Sequence, residues 1–412
     1  MRSRSLQSLW TSFLPIILLG SLFPACIPEE PPTQVLGFLP APPADVSVDG
    51  SAGSDTSPDS SPGAPTEPAV PQDPLEPADQ PPASRPAIPQ AIGLSPRTHD
   101  SAGYLQAVEL AAQCAEVALI QVTFAWDFLR GRQAGESYRA AYDWLIAVDG
   151  TTGQSILEHH NLGRAFWLSF SYPAQPQTIA APGVAGPVRF SDPRVMRAFA
   201  DECGWFAGHF QPDYLALGVE VDAFLEAVDA AERAAFLQSF VAAREACKAA
   251  APGCVVFVYF QYENVRTRGL WPLIASLASA SDVYAFSSYP SLPVQGPDSG
   301  LTAATMSDTY FDDIVAHLGA DRPVIIAEFG HPSAPSAHFS GGSPTEQAGM
   351  IQRLFDSLAR LDVSLVAWTY LYDADLSSVY NSAASTYFGS MGLLRTDQAG
   401  TAGPAWDAWL GP

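Results

Sequence analysis

Pro323-Val-Ile-Ile-Ala-Glu-Phe-Gly330 reads as a strand that ends in a carboxylate. Its aliphatic run shows no polar alternation, the pattern of a strand covered on both faces, as parallel strands are. A glutamate placed directly after such a run is costly to bury unless it is paired or reaches a rim, so Glu328 is a candidate for chemistry. The fold follows from how often this pattern recurs on either side of it.

Seven further runs of the same texture flank it: Ala91–Ser95, Val117–Phe124, Arg164–Phe170, Tyr214–Glu220, Val255–Phe260, Val283–Ser287 and Ser364–Thr369. Stretches with apolar residues at helical spacing lie between them: Ala102–Glu116, Tyr138–His159, Pro193–Phe210, Ala230–Ala250, Thr309–Leu318 and Pro344–Leu361. The second is interrupted by Asp149-Gly150, and Ser343 stands where an N-cap belongs before the last. Strands that alternate with helices imply parallel strands joined by crossovers, and eight strands are the number that closes a (β/α)8 TIM barrel. One domain from 87 to 412 is expected.

The remainder has a different composition. Residues 1–25 carry Arg2 and Arg4, then a short apolar stretch through Leu19, then small residues before Cys26. These are the parts of an export signal, too short and too broken by proline to span a membrane. Residues 26–86 form a tether on this reading. Between Ile27 and Gln90 lie 17 of the chain's 37 prolines, among Ser, Ala, Asp and Gly, and such a segment cannot bury enough apolar surface to offset its ordering entropy. Beyond Cys26, the cysteines are Cys114, Cys203, Cys247 and Cys254. In an oxidising compartment an even number invites pairing, and Cys247 with Cys254 is the nearest pair around Ala251-Pro252-Gly253.

Charge narrows the partners. With 43 acidic against 20 basic residues the formal charge is −23, which disfavours nucleic acid and says little about a neutral sugar polymer. The seven histidines show no metal-binding spacing, and Lys248 sits in helical pattern rather than on a strand, where a Schiff base would need it. No metal and no cofactor are expected.

In a TIM barrel the site lies at the C-terminal rim, and a second glutamate, Glu220, ends the fourth run in Leu217-Gly-Val-Glu-Val-Asp222. Glutamates at the ends of the fourth and seventh strands are the arrangement of the clan A retaining glycoside hydrolases, which this chain resembles from about residue 87 onward. The resemblance implies Glu220 as acid/base and Glu328 as nucleophile. Asp282-Val-Tyr-Ala-Phe-Ser-Ser-Tyr-Pro290 is similar to a segment of the endo-β-1,4-galactanase family, and implies that Tyr289 hydrogen-bonds the nucleophile. Cellulase-like relatives place a tryptophan where Trp368 stands, as a floor for the sugar. Phe388-Gly-Ser-Met-Gly-Leu-Leu393 with Pro404-Ala-Trp406 resembles the closing segment of such enzymes. The placing of Cys26 resembles a bacterial lipobox, although Phe23 stands where leucine is usual. This implies a lipid anchor as the sole membrane contact and a location at the cell envelope or secreted.

The chain also departs from the family. Val219 replaces the asparagine that binds the sugar 2-hydroxyl, a contact worth several kcal/mol in the transition state. The second strand offers Gln121 and Thr123 where many clan members carry an arginine near the nucleophile. Asp222 or Gln261 could supply a missing polar contact, and Glu263 is a rival acid. Trp126, Tyr172, Tyr370 and Tyr372 at strand ends are candidate stacking faces for sugars, and His331 is a candidate to line the site. Two readings result: a monomeric glycoside hydrolase acting by double displacement on a β-linked glycan, or a catalytically inactive barrel that still binds carbohydrate.

Overall fold

The structure, a computed structural model, describes residues 88–172, 175–292, 300–377, 382–395 and 402–411. The leader, Cys26 and the tether lie outside the described residues. Eight parallel staves form the centre: β1 (Gln90–Gly93), β2 (Val117–Thr123), β3 (Gly163–Ser169), β4 (Tyr214–Ala216), β5 in two pieces (Val255–Phe257 and Tyr259–Gln261), β6 (Tyr284–Ser288), β7 (Val324–Phe329) and β8 (Val363–Trp368). The first piece of β5 pairs with β4 and the second with β6, while β8 pairs with β1, so the ring runs through all eight staves. All eight staves match strands expected from the sequence, but β4 is shorter because regular pairing stops at Ala216.

The seam between β1 and β8 sets Ala91 opposite Ala367 and Ile92 opposite Trp368. Gly93 closes this seam, since a Cβ there would lie 1.9 Å from the carbonyl oxygen of Thr369. Inside the barrel, Ala91, Ala165, Ala216, Ala285, Ala327 and Ala367 leave room for Trp167, Phe257, Tyr259 and Leu365. Small residues on some staves facing bulky ones on others fill a barrel without a void.

The outer layer buries the other face of the staves beneath helices. Pro193–Phe210 and Ala230–Ala250 have the limits expected from the sequence, and each is N-capped by an aspartate, Asp192 and Asp229. Ser343 caps Pro344–Leu358 through a bond from Glu346 N. The interrupted stretch is broken as Asp149-Gly150 suggests, into Glu136–Tyr142, a turn of 3-10 helix at Asp143–Leu145, and Ile156–His159. A helix over Trp271–Ala280 completes the crossover between β5 and β6.

The expected bridge between Cys247 and Cys254 is not formed: Cys114, Cys203, Cys247 and Cys254 are all free and buried. Cys247 lies in the helix Ala230–Ala250 with its side chain in the apolar outer layer, and the Cys254 thiol contacts the Val255 carbonyl oxygen at 3.8 Å. Burial pushes the thiols of Cys114 and Cys254 up to about 12, so they act as small apolar residues rather than thiolates. Among the described residues, no helix is long and apolar enough to cross a membrane.

Candidate active site

The position of Glu328 depends on a bulge. Along β7, Ile325 and Ala327 face the barrel interior, whereas Val324 and Ile326 face the helices. Strict alternation would turn Glu328 outward with Ile326. Instead the pairing with β6 runs Ile326 to Phe286 and then Glu328 to Ser287, two residues of β7 against one of β6. A bulge of this kind re-aims the following side chain, and here it turns Glu328 into the mouth. Trp167, on β3, reaches across the barrel to this bulge, and its indole N–H donates to Ala327 O at 2.9 Å.

The Glu328 carboxyl is 1% exposed and held by three neutral donors. Oε1 accepts from Gln121 Nε2 at 2.8 Å and from the Tyr259 hydroxyl at 2.5 Å. Oε2 accepts from the Tyr289 hydroxyl at 2.6 Å, and that hydroxyl also lies 3.1 Å from Thr369 Oγ1. Burial pushes the carboxyl above the ordinary carboxylate range, and the bonds from Tyr259 and Tyr289 pull it part of the way back.

Glu220 comes from the opposite side of the mouth. Past β4 the chain stays beside β5 through Leu217 N to Phe257 O (2.8 Å) and Val221 N to Tyr259 O (3.1 Å). Between these anchors Glu220 takes φ 45°, the left-handed region that L-residues avoid. Its Oε1 accepts from Ser287 Oγ at 2.6 Å. Ser287 is also the register partner of Glu328, so one residue of β6 touches one acid and adjoins the other. The hydroxyls of Tyr259, Tyr289 and Tyr370 are all raised, first by burial and then by the charges of both carboxylates.

The pair thus stands in a shared field at the C-terminal ends of the staves. Two such carboxyls can divide the work of attack and proton donation at a glycosidic bond. Among the described residues no cluster of His, Cys, Asp and Glu could hold a metal ion.

Tyr289 is itself held in place. Glu263 Oε1 accepts from Tyr289 N (3.2 Å), Ser288 Oγ (2.5 Å) and the Tyr310 hydroxyl (2.8 Å), while its Oε2 accepts from Gln261 Nε2 (2.5 Å). With both oxygens engaged and the group fully buried, Glu263 braces the end of β6.

Several expected contacts are corrected by the structure. Trp368 faces outward with Val366, because Leu365 and Ala367 take the inward positions of β8. Its ring lies between Phe329 and Trp409, at 5.8 and 5.9 Å, with no exposed face for a sugar. Trp126 is likewise fully buried among Phe124, Phe190 and Phe199, and its indole N–H bonds Ala180 O at 2.8 Å. Asp222 is spent on structure: Oδ1 accepts from Gln261 N (2.8 Å) and Oδ2 from Asn264 Nδ2 (2.6 Å), which joins the ends of β4 and β5. Gln261 caps the helix Tyr262–Arg268, with its Oε1 bound to Asn264 N and its Nε2 to Glu263.

His331 is buried with its ring edge-on to Phe339 at 5.1 Å, and burial pushes its pKa down to about 3, so it is neutral. Tyr372 is fully buried as well. Tyr172 begins a small antiparallel ribbon by pairing with Gln175, and its side chain lies outside the described residues. Tyr370 and Tyr289 belong to one apolar cluster with Tyr387 and Phe388.

The neighbours that sequence reasoning passed over are Tyr259, Ser287, Trp167 and Thr369. A signal was present for two of them. Tyr259 is two residues from Phe257 and Ser287 two from Ala285, so period-2 alternation from either apolar residue puts both on the inner face.

No family model matches the sequence, and no curated protein matches it. Solved structures do superpose. An exo-β-1,4-mannosidase from Opitutaceae bacterium strain TAV5 gives a TM-score of 0.58 at 16% identity, over 78% of this chain and 58% of the mannosidase. The chain therefore spans little more than half of that enzyme's length. A GH5_18 protein from Bifidobacterium longum subsp. longum gives 0.58 at 15% identity, over 78% of each chain. A GH10 protein from Paenibacillus barcinonensis gives 0.52 at 12% identity, over 79% of this chain and 94% of the other. The TIM barrel superposes on the barrels of these glycoside hydrolases. Identities this low carry the likeness of fold and not a particular substrate, and a specific tie to the endo-β-1,4-galactanases is not among what they show.

Proposed function

We propose that the barrel is a retaining glycoside hydrolase of β-linked glycans, with Glu328 as nucleophile and Glu220 as acid/base. The observation that carries this reading is the convergence of two buried carboxyls on the end of β6, where Ser287 bonds Glu220 and is the register partner of Glu328, at the rim where TIM-barrel enzymes keep their chemistry. In the first step a Glu328 oxygen bonds to the anomeric carbon as the bond to the leaving oxygen breaks, and the proton of Glu220 goes to that oxygen. In the second step Glu220 takes a proton from water, the water oxygen bonds to the same carbon, and Glu328 is released. Ionised Glu328 is the reactive form, so activity should be lost as pH falls through its raised pKa.

A second reading, a carbohydrate-binding barrel without turnover, is favoured by Val219. This side chain is 5% exposed within the inner apolar cluster beside Glu220, and it can offer no hydrogen bond to a sugar 2-hydroxyl. Display from the cell envelope through lipidated Cys26 and the proline-rich tether belongs to the proposal in either case.

The test is hydrolysis of a panel of β-mannan, β-glucan, β-galactan and xylan oligosaccharides, with β-mannosides first because an exo-β-1,4-mannosidase shares the barrel. Proton NMR of the first product should show the β-anomer. Glu328→Ala should lower turnover by about 10⁴-fold or more, and Glu220→Ala by about 10²–10⁴-fold on substrates with poor leaving groups. A parent protein that is inert on the whole panel yet is retarded on polysaccharide affinity gels would leave the binding reading in possession.

A further inference from the structure

The two oxygens of Glu328 are not held alike. Oε1 carries two donors from two staves, Gln121 Nε2 from β2 and the Tyr259 hydroxyl from β5, whereas Oε2 carries Tyr289 alone. None of the three donors is charged, and among the described residues no arginine or lysine forms an ion pair with Glu328. Tyr259 has little freedom to leave. It is fully buried, its ring lies against Trp167 at 6.2 Å, and its backbone N–H and carbonyl are tied to Gly218 and Val221 on the segment that carries Glu220.

We propose that Tyr259 is a positioning residue which, with Gln121, does by two neutral hydrogen bonds what a cation would otherwise do, fixing Oε1 of Glu328 as the spectator oxygen and leaving Oε2 to attack. The chemistry of the ester supports the division. When Oε2 bonds to the anomeric carbon, Oε1 becomes a carbonyl oxygen, which still accepts two hydrogen bonds, so neither Gln121 nor Tyr259 has to move. Oε2 loses its charge and much of its acceptor strength, and the Tyr289 hydroxyl can turn to Thr369 Oγ1, already 3.1 Å away. Neutral donors also leave the carboxyl easier to protonate than an ion pair would, because a hydrogen bond stabilises the anion less than a buried opposite charge does.

This inference rests on Glu328 being the nucleophile, so its test is read in two independent ways. The first follows Glu328 itself by ¹³C NMR of protein labelled at glutamate carboxyls, with Glu328→Gln used to assign the signal. Tyr259→Phe should move the titration midpoint of Glu328 upward by about one pH unit, and Gln121→Arg should move it downward by a similar amount. The second reading is kinetic. Tyr259→Phe should lower kcat by about 10- to 100-fold, with KM changed by less than about 3-fold, as expected for a donor to a charged group engaged in the reaction. Gln121→Leu tests the same clamp from β2 if the tyrosine variant does not fold.

The outcomes separate. Shifted midpoints without hydrolysis of any glycan leave the clamp standing and end the hydrolase reading. Hydrolysis that depends on Glu328, with midpoint and kcat both unmoved in Tyr259→Phe, overturns the clamp alone.

Discussion

At position 220 the backbone takes φ 45°, a conformation that costs an L-residue about 1 kcal/mol or more and costs glycine almost nothing. The strain turns a side chain that has left the β4 ladder toward Ser287 and the mouth. Elsewhere alanine is the more stable of the two small residues, so this site should reverse the order. Glu220→Gly is expected to be more stable than Glu220→Ala by about 1 kcal/mol, measured by urea unfolding, while both are impaired in turnover to a similar degree. Equal stabilities, or alanine ahead, would mean that residue 220 is not left-handed. At this scale the two acids were legible because a polar residue ending an apolar run advertises itself, and Tyr289 through the family resemblance of the segment Asp282–Pro290. The side chains that hold them were not. Gln121 stood out only as the residue where the resemblance places an arginine, and nothing in Tyr259 or Ser287 taken singly marks a partner, since each becomes one only when the ring brings strands five and six around strand seven.

At the scale of the element, the parity of a strand decides which aromatics can serve a site. Trp167 and Trp368 illustrate this from opposite faces. Both are fully buried tryptophans, yet Trp167 points inward to the β7 bulge and Trp368 outward to Trp409. Counting in twos along β8 from Leu365 would have turned Trp368 away from the sugar. The bulge at Ala327–Glu328 is harder to read, because an extra residue in a ladder leaves no trace in the composition of one strand. The two tryptophans should therefore fail differently on substitution. Trp368→Ala should cost about 3–5 kcal/mol through the cavity it leaves, with KM and kcat of the folded fraction retained. Trp167→Phe keeps most of the volume but removes the bond to Ala327 O, and it should cost about 1–2 kcal/mol while lowering kcat by about 10-fold or more as Glu328 loosens. Thermal melts beside steady-state kinetics of the two variants check the contrast. A fall in kcat for Trp368→Ala without loss of stability would restore that residue to the site.

For the whole molecule, buried acids set how stability responds to pH. Burial raises Glu202 and Asp222 to about 7, and it raises Glu263 and Glu328 as well. In the unfolded chain these groups release their protons near pH 4. Between about pH 4 and pH 7 the folded state therefore binds more protons than the unfolded state, and stability falls as pH rises. His331 opposes this, since its pKa is lowered to about 3 and the unfolded chain takes up its proton below about pH 6.5. Four acids outweigh one histidine. The formal charge of −23 acts in the same direction, because partial protonation relieves self-repulsion. Below about pH 4 the trend reverses, because Asp192, Glu158 and Asp149 are held low by hydrogen bonds in the folded state, so the unfolded chain takes up these protons first and stability falls as pH falls. The melting temperature should then peak near pH 5 and drop by about 2 °C or more by pH 8. In Asp222→Asn the drop should be smaller, since one of the four acids no longer titrates. Turnover needs ionised Glu328 and should rise over the same interval in which stability declines, so the pH of best activity should lie above the pH of highest melting temperature. Melting curves and rates collected on one buffer series from pH 4 to 9 would show the two optima apart. Coincident optima would mean that the charge of Glu328 does not limit the reaction.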